Sequence, residues 1–307
     1  MHSSSLEKLI LEGCSSLVKV HESIKNLTSL VFLNLEGCWR LKILPESIGN
    51  VKSLKSMNIS GCSQLEKLPE HMDDMESLIE LLADGIENEQ FLSSIRQLKY
   101  IRRLSLRGYN FSQNSPSSTF WLSPSSTFWP PSISSFISAS VLCLKRSLPK
   151  AFIDWRLVKS LELPDAGLSD HTTNCVDFRG LSSLEVLDLS RNKFSSLPSG
   201  IAFLPNLGSL IVVGCNNLVS IPDLPSNLGY LGATYCKSLE RVRIPIASKK
   251  ELYINLHESH SLEEIQGIED QSNIFWYISV EDRSYSPNKL QKSVVEVLFL
   301  SIFVAYN

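Results

Sequence analysis

The apolar positions of this chain recur on a fixed beat. In the stretch 30–69 the template L-x-x-L-x-L-x-G-C-x-x-L-x-x-L-P is filled by Leu30, Leu33, Leu35, Gly37, Cys38, Leu41, Leu44 and Pro45. It is filled again 24 residues later by Leu54, Met57, Ile59, Gly61, Cys62, Leu65, Leu68 and Pro69. Within L-x-x-L-x-L the last two apolar residues flank one polar residue, the period of a short strand with one buried face. Gly-Cys follows, where glycine permits an abrupt turn and a small side chain can stack on its counterpart in the next coil. The remaining L-x-x-L-P-x-x-I brings the chain back over the apolar interior. One coil cannot bury its own apolar face, so several must stack, and their stability approaches a sum of neighbour contacts.

A period of about 20–29 residues with this spacing is the leucine-rich-repeat signature. Extending the register places first positions at Leu6, Leu30, Leu54, Leu78, Ile101, Val158, Leu184, Leu207, Leu228 and, in degraded form, Glu251. The predicted fold is an α/β leucine-rich-repeat solenoid, a horseshoe with short parallel strands on its concave face. Its expected divisions are a first repeat block at 1–111, an insertion at 112–157, a second block at 158–270 whose last repeat is degenerate, and an incomplete β-rich segment at 271–307.

The insertion contains a tandem copy, Ser115–Trp121 and Ser123–Trp129, rich in Ser, Pro, Phe and Trp. That composition opposes strand and helix and predicts a long loop, with VLCLKRSLP at 141–149 as the remnant of a coil. After it, LEVLDLSRNKFSSLP puts Asn192 where other coils carry cysteine. An asparagine amide there can bond backbone groups of the turn and the adjacent coil, so Cys and Asn read as alternative solutions for one buried position.

Composition narrows the chemistry. The chain of 307 residues is 43% hydrophobic and 20% charged with a net charge of −3, which supplies ample core and gives no electrostatic case for nucleic acid or an acidic membrane. Of seven cysteines, Cys14, Cys38, Cys62, Cys215 and Cys236 fall eight residues after a first position. That spacing belongs to the coils and not to a metal site or disulfide framework, so these thiols are expected to be buried and free, in a reducing compartment. Asn-x-Ser/Thr sequons at Asn26, Asn58 and Asn110 argue weakly the other way. His257 and His260 beside Glu258 lack further ligands at diagnostic spacing, and no G-x-S-x-G, H-E-x-x-H, G-x-G-x-x-G or G-x-x-x-x-G-K-[ST] sequence appears, so no enzyme is expected. No polar capping repeat precedes Leu6, and the apolar ending 297–306 is too short for a bilayer that needs about 20 residues. The chain therefore reads as a fragment of something longer or an incomplete gene model.

The runs LILEGCSSLVKVHESIKNLTSL, LNLEGCWRLKILPESIGNVKSLKSMNISGCSQLEKLPE, GLSSLEVLDLSRNKFSSLPSGI and IPDLPSNLGYLGATYCKSLERV resemble the repeat region of plant intracellular immune receptors. The subclass is the disease-resistance proteins with a Toll/interleukin-receptor domain, a nucleotide-binding domain and leucine-rich repeats. This resemblance covers about residues 6–285 and includes the Gly-Cys turns and the coil order. It implies a module that recognises a pathogen effector or a guarded host protein, in the cytoplasm or, for some of the family, the nucleus. It also implies contact with the receptor's own nucleotide-binding domain, so an autoinhibitory or structural role is the alternative, and a truncated non-functional product a third. The family's ADP/ATP and NAD sites lie in domains absent from this chain, so no cofactor is expected. The text after Glu251 is similar to the family's post-repeat region, where a small β-sandwich follows the solenoid.

The expected site is a surface. Residues two, four and six places after each first position should face outward on the concave side. From these, Phe32, Asn34, Glu36, Asn58, Glu80, Leu82, Asp84, Arg103, Arg107, Glu162, Asp188, Ile211 and Tyr230 are the candidate partner contacts. Acidic early coils, Arg103 and Arg107 in the fifth, and Glu162 and Asp188 later predict a partner presenting basic, acidic and again basic groups. Phe32 and Tyr230 are the aromatic anchor candidates.

Overall fold

The computed structural model describes residues 5–87, 89–95, 97–109, 156–170, 178–244, 251–267 and 274–277. Fourteen short strands follow in chain order: β1 (Lys8–Ile10), β2 (Phe32–Asn34), β3 (Ser56–Asn58), β4 (Glu80–Leu82), β5 (Arg103–Ser105), β6 (Ser160–Glu162), β7 (Val186–Asp188), β8 (Ser209–Ile211), β9 (Ser220–Ile221), β10 (Tyr230–Gly232), β11 (Arg241–Arg243), β12 (Leu252–Asn255), β13 (Glu264–Gln266) and β14 (Ile274–Tyr277). Eleven of them form one sheet in the order β1-β2-β3-β4-β5-β6-β7-β8-β10-β12-β14. All its pairings are parallel and advance one coil at a time, Lys8 opposite Phe32, Phe32 opposite Ser56 and Ser56 opposite Glu80. The periodicity of the leucines is thus the register of the sheet.

The inward positions pack the core as the alternation requires. Leu33, Leu35, Met57, Ile59, Leu81, Leu104, Leu187, Leu210 and Leu231 are fully buried. Opposite the sheet the return path forms short 3-10 turns among the described residues, at Glu22–Asn26, Glu46–Asn50, Glu70–Met72, Phe178–Gly180 and Ser199–Phe203. One coil has an α-helix there, α1 (Glu89–Ile95), which inserts Phe91 and Ile95 into the core. In the C-terminal coils β9, β11 and β13 form a second parallel sheet. Gly49 shows how closely coils approach on this side: a Cβ on it would fall 2.4 Å from the His71 carbonyl oxygen.

β5 pairs directly with β6, Arg103 opposite Ser160, so strands far apart in sequence are neighbours in the sheet. The readings of the duplicated tract, of 141–149 and of the last 30 residues fall outside the described residues. β14 pairs in parallel with β12, Leu252 opposite Ile274. The sheet therefore continues into the segment from 271, where Ile274–Tyr277 adds a strand that the leucine template does not mark.

The first coil differs from those behind it. Leu9, Leu11, Leu17, Val20 and Leu27 are only partly buried, and β1 pairs on one side alone. No described helix is long and apolar enough to cross a membrane.

Candidate functional site

Three ladders run along the array beside the outward side chains, and they decide which of those side chains remain for a partner. The first is the turn ladder. Gly13, Gly37, Gly61, Gly85, Gly108 and Gly214 all have φ near +70°, and each N–H donates to a carbonyl of the next coil, as Gly37 does to Ser60 at 2.8 Å and Gly61 to Asp84 at 2.7 Å. The left-handed region suits glycine because it lacks Cβ. In later coils the same slot holds Asp165, Arg191, Tyr235 and Glu258 at φ 54–59°, and the first three make the same bond to the next coil, Asp165 to Ser190, Arg191 to Val213 and Tyr235 to His257.

The second is the cysteine ladder. Cys38 Sγ donates to the Leu11 carbonyl at 3.1 Å, Cys62 to Leu35 at 3.2 Å, Cys215 to Leu189 at 3.4 Å and Cys236 to Val212 at 3.1 Å. Asn192 fills the slot with a donor to Leu163 at 2.9 Å and to Leu189 at 2.8 Å, while its Oδ1 accepts from the Leu168 N–H at 3.0 Å. Ser259 is a third solution, donating to Ala233 at 2.8 Å. These four cysteines are free and buried as expected, and Cys14 is free and exposed. Burial pushes the Cys62 and Cys215 thiols up to about 12 and Cys236 to about 11. They are therefore neutral and structural.

The third ladder uses outward positions themselves. Asn34 Nδ2 donates to Glu12 Oε2 at 3.1 Å while its Oδ1 accepts from the Glu36 N–H at 2.9 Å. Asn58 repeats this, donating to Glu36 Oε2 at 2.9 Å and accepting from the Ser60 N–H at 3.0 Å. Both asparagines are buried, at 7% and 8% exposure, with their amides engaged between coils, and Asn58 still lines the groove beside Glu36 and Asp84. Asp84 accepts from the Ser105 hydroxyl and the Arg107 N–H, and Asp188 from the Ser190 hydroxyl and N–H. Outward does not mean free where a polar side chain can reach the next strand.

Arg103 stands between carboxylates of the two neighbouring strands. It bonds Glu80 Oε1 at 2.8 Å through Nη1 and Glu162 Oε1 at 3.1 Å through Nη2 and Nε. Burial works against its charge, but the hydrogen bonds and charges of Glu162 and Glu80 outweigh it and hold the guanidinium's pKa up. Three of the charges expected to alternate before a partner therefore compensate each other across β4, β5 and β6.

What remains outward is mostly apolar or terminal to the ladders. Phe32, Leu82 and Ile211 are half-buried and Tyr230 is exposed. Glu36, Leu82, Asp84 and Arg107 line one shallow groove of about 550 Å³, floored by Gly37, Gly61 and Gly85. Tyr253 is a further outward aromatic, opposite Tyr230 in the register and 49% exposed. The template missed it because its coil begins with Glu251, although I-N-L at Ile254–Leu256 preserved the alternation. Glu258 lies within 2.8 Å of His260 and 3.8 Å of His257, and no group of three metal-ligating side chains occurs among the described residues.

The Leucine Rich Repeat family matches residues 183–204, the coil that carries β7 and Asn192. The chain is a leucine-rich-repeat solenoid. Its repeats are similar to those of plant disease-resistance proteins. TMV resistance protein N of Nicotiana glutinosa is 31% identical over 142 residues, 46% of this chain and 11% of that protein. Disease resistance-like protein DSC1 of Arabidopsis thaliana is 45% identical over 67 residues, 22% of this chain and 6% of that protein. Disease resistance protein RPS4 of the same plant is 46% identical over 68 residues, again 22% and 6%. The leucine-rich-repeat solenoid thus matches about a tenth or less of these relatives' length. Among solved structures, a leucine-rich-repeat protein of Leptospira interrogans has a TM-score of 0.47 at 20% identity, covering 85% of this chain and 66% of that one. Human 5T4, trophoblast glycoprotein, has a TM-score of 0.48 at 18% identity, covering 71% and 74%. Solenoids of this family are typically non-enzymatic interaction modules.

Proposed function

We propose that this solenoid is the protein-recognition module of a plant intracellular immune receptor, engaging a pathogen effector or a guarded host protein with its concave face. One observation carries the reading: after the internal ladders have taken their polar groups, the outward positions still present Phe32, Leu82, Ile211, Tyr230 and Tyr253 with exposed surface, none of which the core needs. Apolar and aromatic groups of this kind act as anchors, and the surrounding charges act on encounter and selectivity. The similarity to disease-resistance proteins supplies the context. In this reading the chain works as protein-binding surface in the cytoplasm, without a cofactor of its own, and nucleotide and NAD chemistry belong to other domains of the parent receptor.

A second reading has its own observation. Trp39, Ile43 and Val18 are exposed outside the sheet face in the first two coils, with Arg40 stacked on Trp39 at 5.7 Å. Such a second apolar region suits contact with the receptor's own nucleotide-binding domain, which would hold the receptor inactive.

Screening the chain against a library of pathogen-secreted proteins, then retesting each interactor with two variant sets, separates these. Phe32→Ala with Tyr230→Ala should weaken genuine interactors at least fivefold, and Lys25→Glu with Glu46→Lys should leave them unchanged. Interactors lost only with the second set would overturn the concave assignment.

A further inference from the structure

The two ends of the concave face differ in chemistry. From β6 onward, the described outward positions two, four and six places into each coil contain two carboxylates, Glu162 and Asp188, and no lysine or arginine. Glu251 adds a third carboxylate beside β12, where it accepts a hydrogen bond from the Tyr253 hydroxyl at 3.2 Å. Of the described cations beside this region, Arg103 is held by Glu80 and Glu162, Arg191 by Asp165 at 2.8 Å and Lys159 by Glu185 at 2.6 Å, while Arg107, in the coil of β5, lines the groove with Glu36 and Asp84. Its electrostatic demand therefore points one way.

The same region carries the aromatic groups. Tyr230 and Tyr253 stand on neighbouring strands in register, 39% and 49% exposed. Their rings lean in opposite directions along the strands. Tyr230 lies over Gly232, where an added Cβ would fall 3.0 Å from its Cε1 and hydroxyl oxygen, and Tyr253 reaches back to Glu251. Glycine at 232 is what lets the first ring lie down on the sheet. Half-buried Val186 and Ile211 continue the apolar surface toward Asp188.

We infer that the C-terminal half of the concave face takes a basic protein segment, seating an arginine or lysine side chain against the rings of Tyr230 and Tyr253 with Glu251 as its counter-charge. This rests on the concave face being the recognition surface and gives its partner a chemistry. Aromatic faces attract cations through the ring quadrupole, and the bordering carboxylates raise the local concentration of a basic segment. An acidic segment would meet like charge at Asp188 and Glu251.

The test is selection of a random twelve-residue peptide library displayed on phage against the full chain, with every selected peptide remeasured by fluorescence anisotropy. Binders should be enriched in Arg or Lys flanked by apolar residues, lose at least tenfold affinity in the Tyr230→Ala/Tyr253→Ala variant, and weaken as salt rises from 50 to 300 mM. The Tyr230→Phe/Tyr253→Phe variant should bind within about twofold of the parent, since the ring faces persist, and circular dichroism confirms that each variant is folded. Binders without cations, binders indifferent to the alanine pair, or no binders at all would overturn the inference. Binders lost with Phe32→Ala and Leu82→Ala but not with the tyrosine pair would overturn it while leaving the concave reading intact. Binders lost only with Lys25→Glu and Glu46→Lys would overturn both.

Discussion

At the scale of single residues, one slot shows how sequence pattern becomes energetics. Cys62, Asn192 and Ser259 each turn a donor onto a carbonyl of the preceding coil. A buried hydroxyl without a partner costs about 1–3 kcal/mol, but serine in this slot has one. Cys62→Ser is therefore expected to cost less than about 1 kcal/mol, and Cys62→Asp, which buries a carboxylate against carbonyl oxygen, more than about 3 kcal/mol by urea denaturation. The thiols also set a pH dependence. Each binds its proton more tightly in the folded chain than at its ordinary value of 9.0. Their contribution is complete below pH 9 and is lost as pH climbs toward about 11 for Cys236 and about 12 for Cys62 and Cys215. Thermal midpoints measured from pH 7 to 11 should stay level to about pH 9 and then fall, and a flat profile to pH 11 would contradict the burial. Of the five ladder cysteines, exposed Cys14 should be the one alkylated fastest. The slot was legible from spacing alone. What spacing could not show was that Asn34 and Asn58 bond across coils, because an outward position says which way a side chain starts and not which neighbour it reaches.

At the scale of the elements, coils touch through backbone as much as through leucine. The 3-10 turn Glu46–Asn50 packs so closely on the next coil that Gly49 has no room for a methyl group. Gly49→Ala should cost about 1–3 kcal/mol, measured as a shift in the urea midpoint, because the obstacle is a carbonyl and cannot rotate away. Gly85 has φ +70° but nothing within 4 Å, so alanine there should cost only the backbone strain of about 1 kcal/mol. The Arg103 bridge joins β4, β5 and β6. Its partners remain partly exposed to water, so Arg103→Met is expected to lower stability by no more than about 1 kcal/mol, more at low salt than at high. Strand spacing and turn position were readable from the leucines. β14 and the second sheet of β9, β11 and β13 were not, since neither follows the L-x-x-L-x-L template.

At the scale of the whole molecule, the array is quasi-one-dimensional and should lose order from its ends inward. The first coil keeps Leu9, Leu11 and Leu17 only partly buried beside a strand paired on one side. Amide exchange of β1 should be at least tenfold faster than that of β3 or β7, whose neighbours cover both sides. The partly exposed edge also predicts concentration-dependent association by light scattering at micromolar protein, weakened by Ile10→Lys. The sequence made the concave face recognisable as a face, yet did not show that Arg103 is bound by Glu80 and Glu162, and it omitted Tyr253, whose coil opens on Glu251. Hydroxyl-radical footprinting of the chain with a partner recovered by screening tests the central claim most directly, because exposed aromatic residues report on each side of the solenoid. Phe32, Tyr230 and Tyr253 should be protected at least threefold in the complex while Trp39 and Phe203 oxidise as in the free chain. Protection of Trp39 and Phe203 with the three concave residues unchanged would contradict the account.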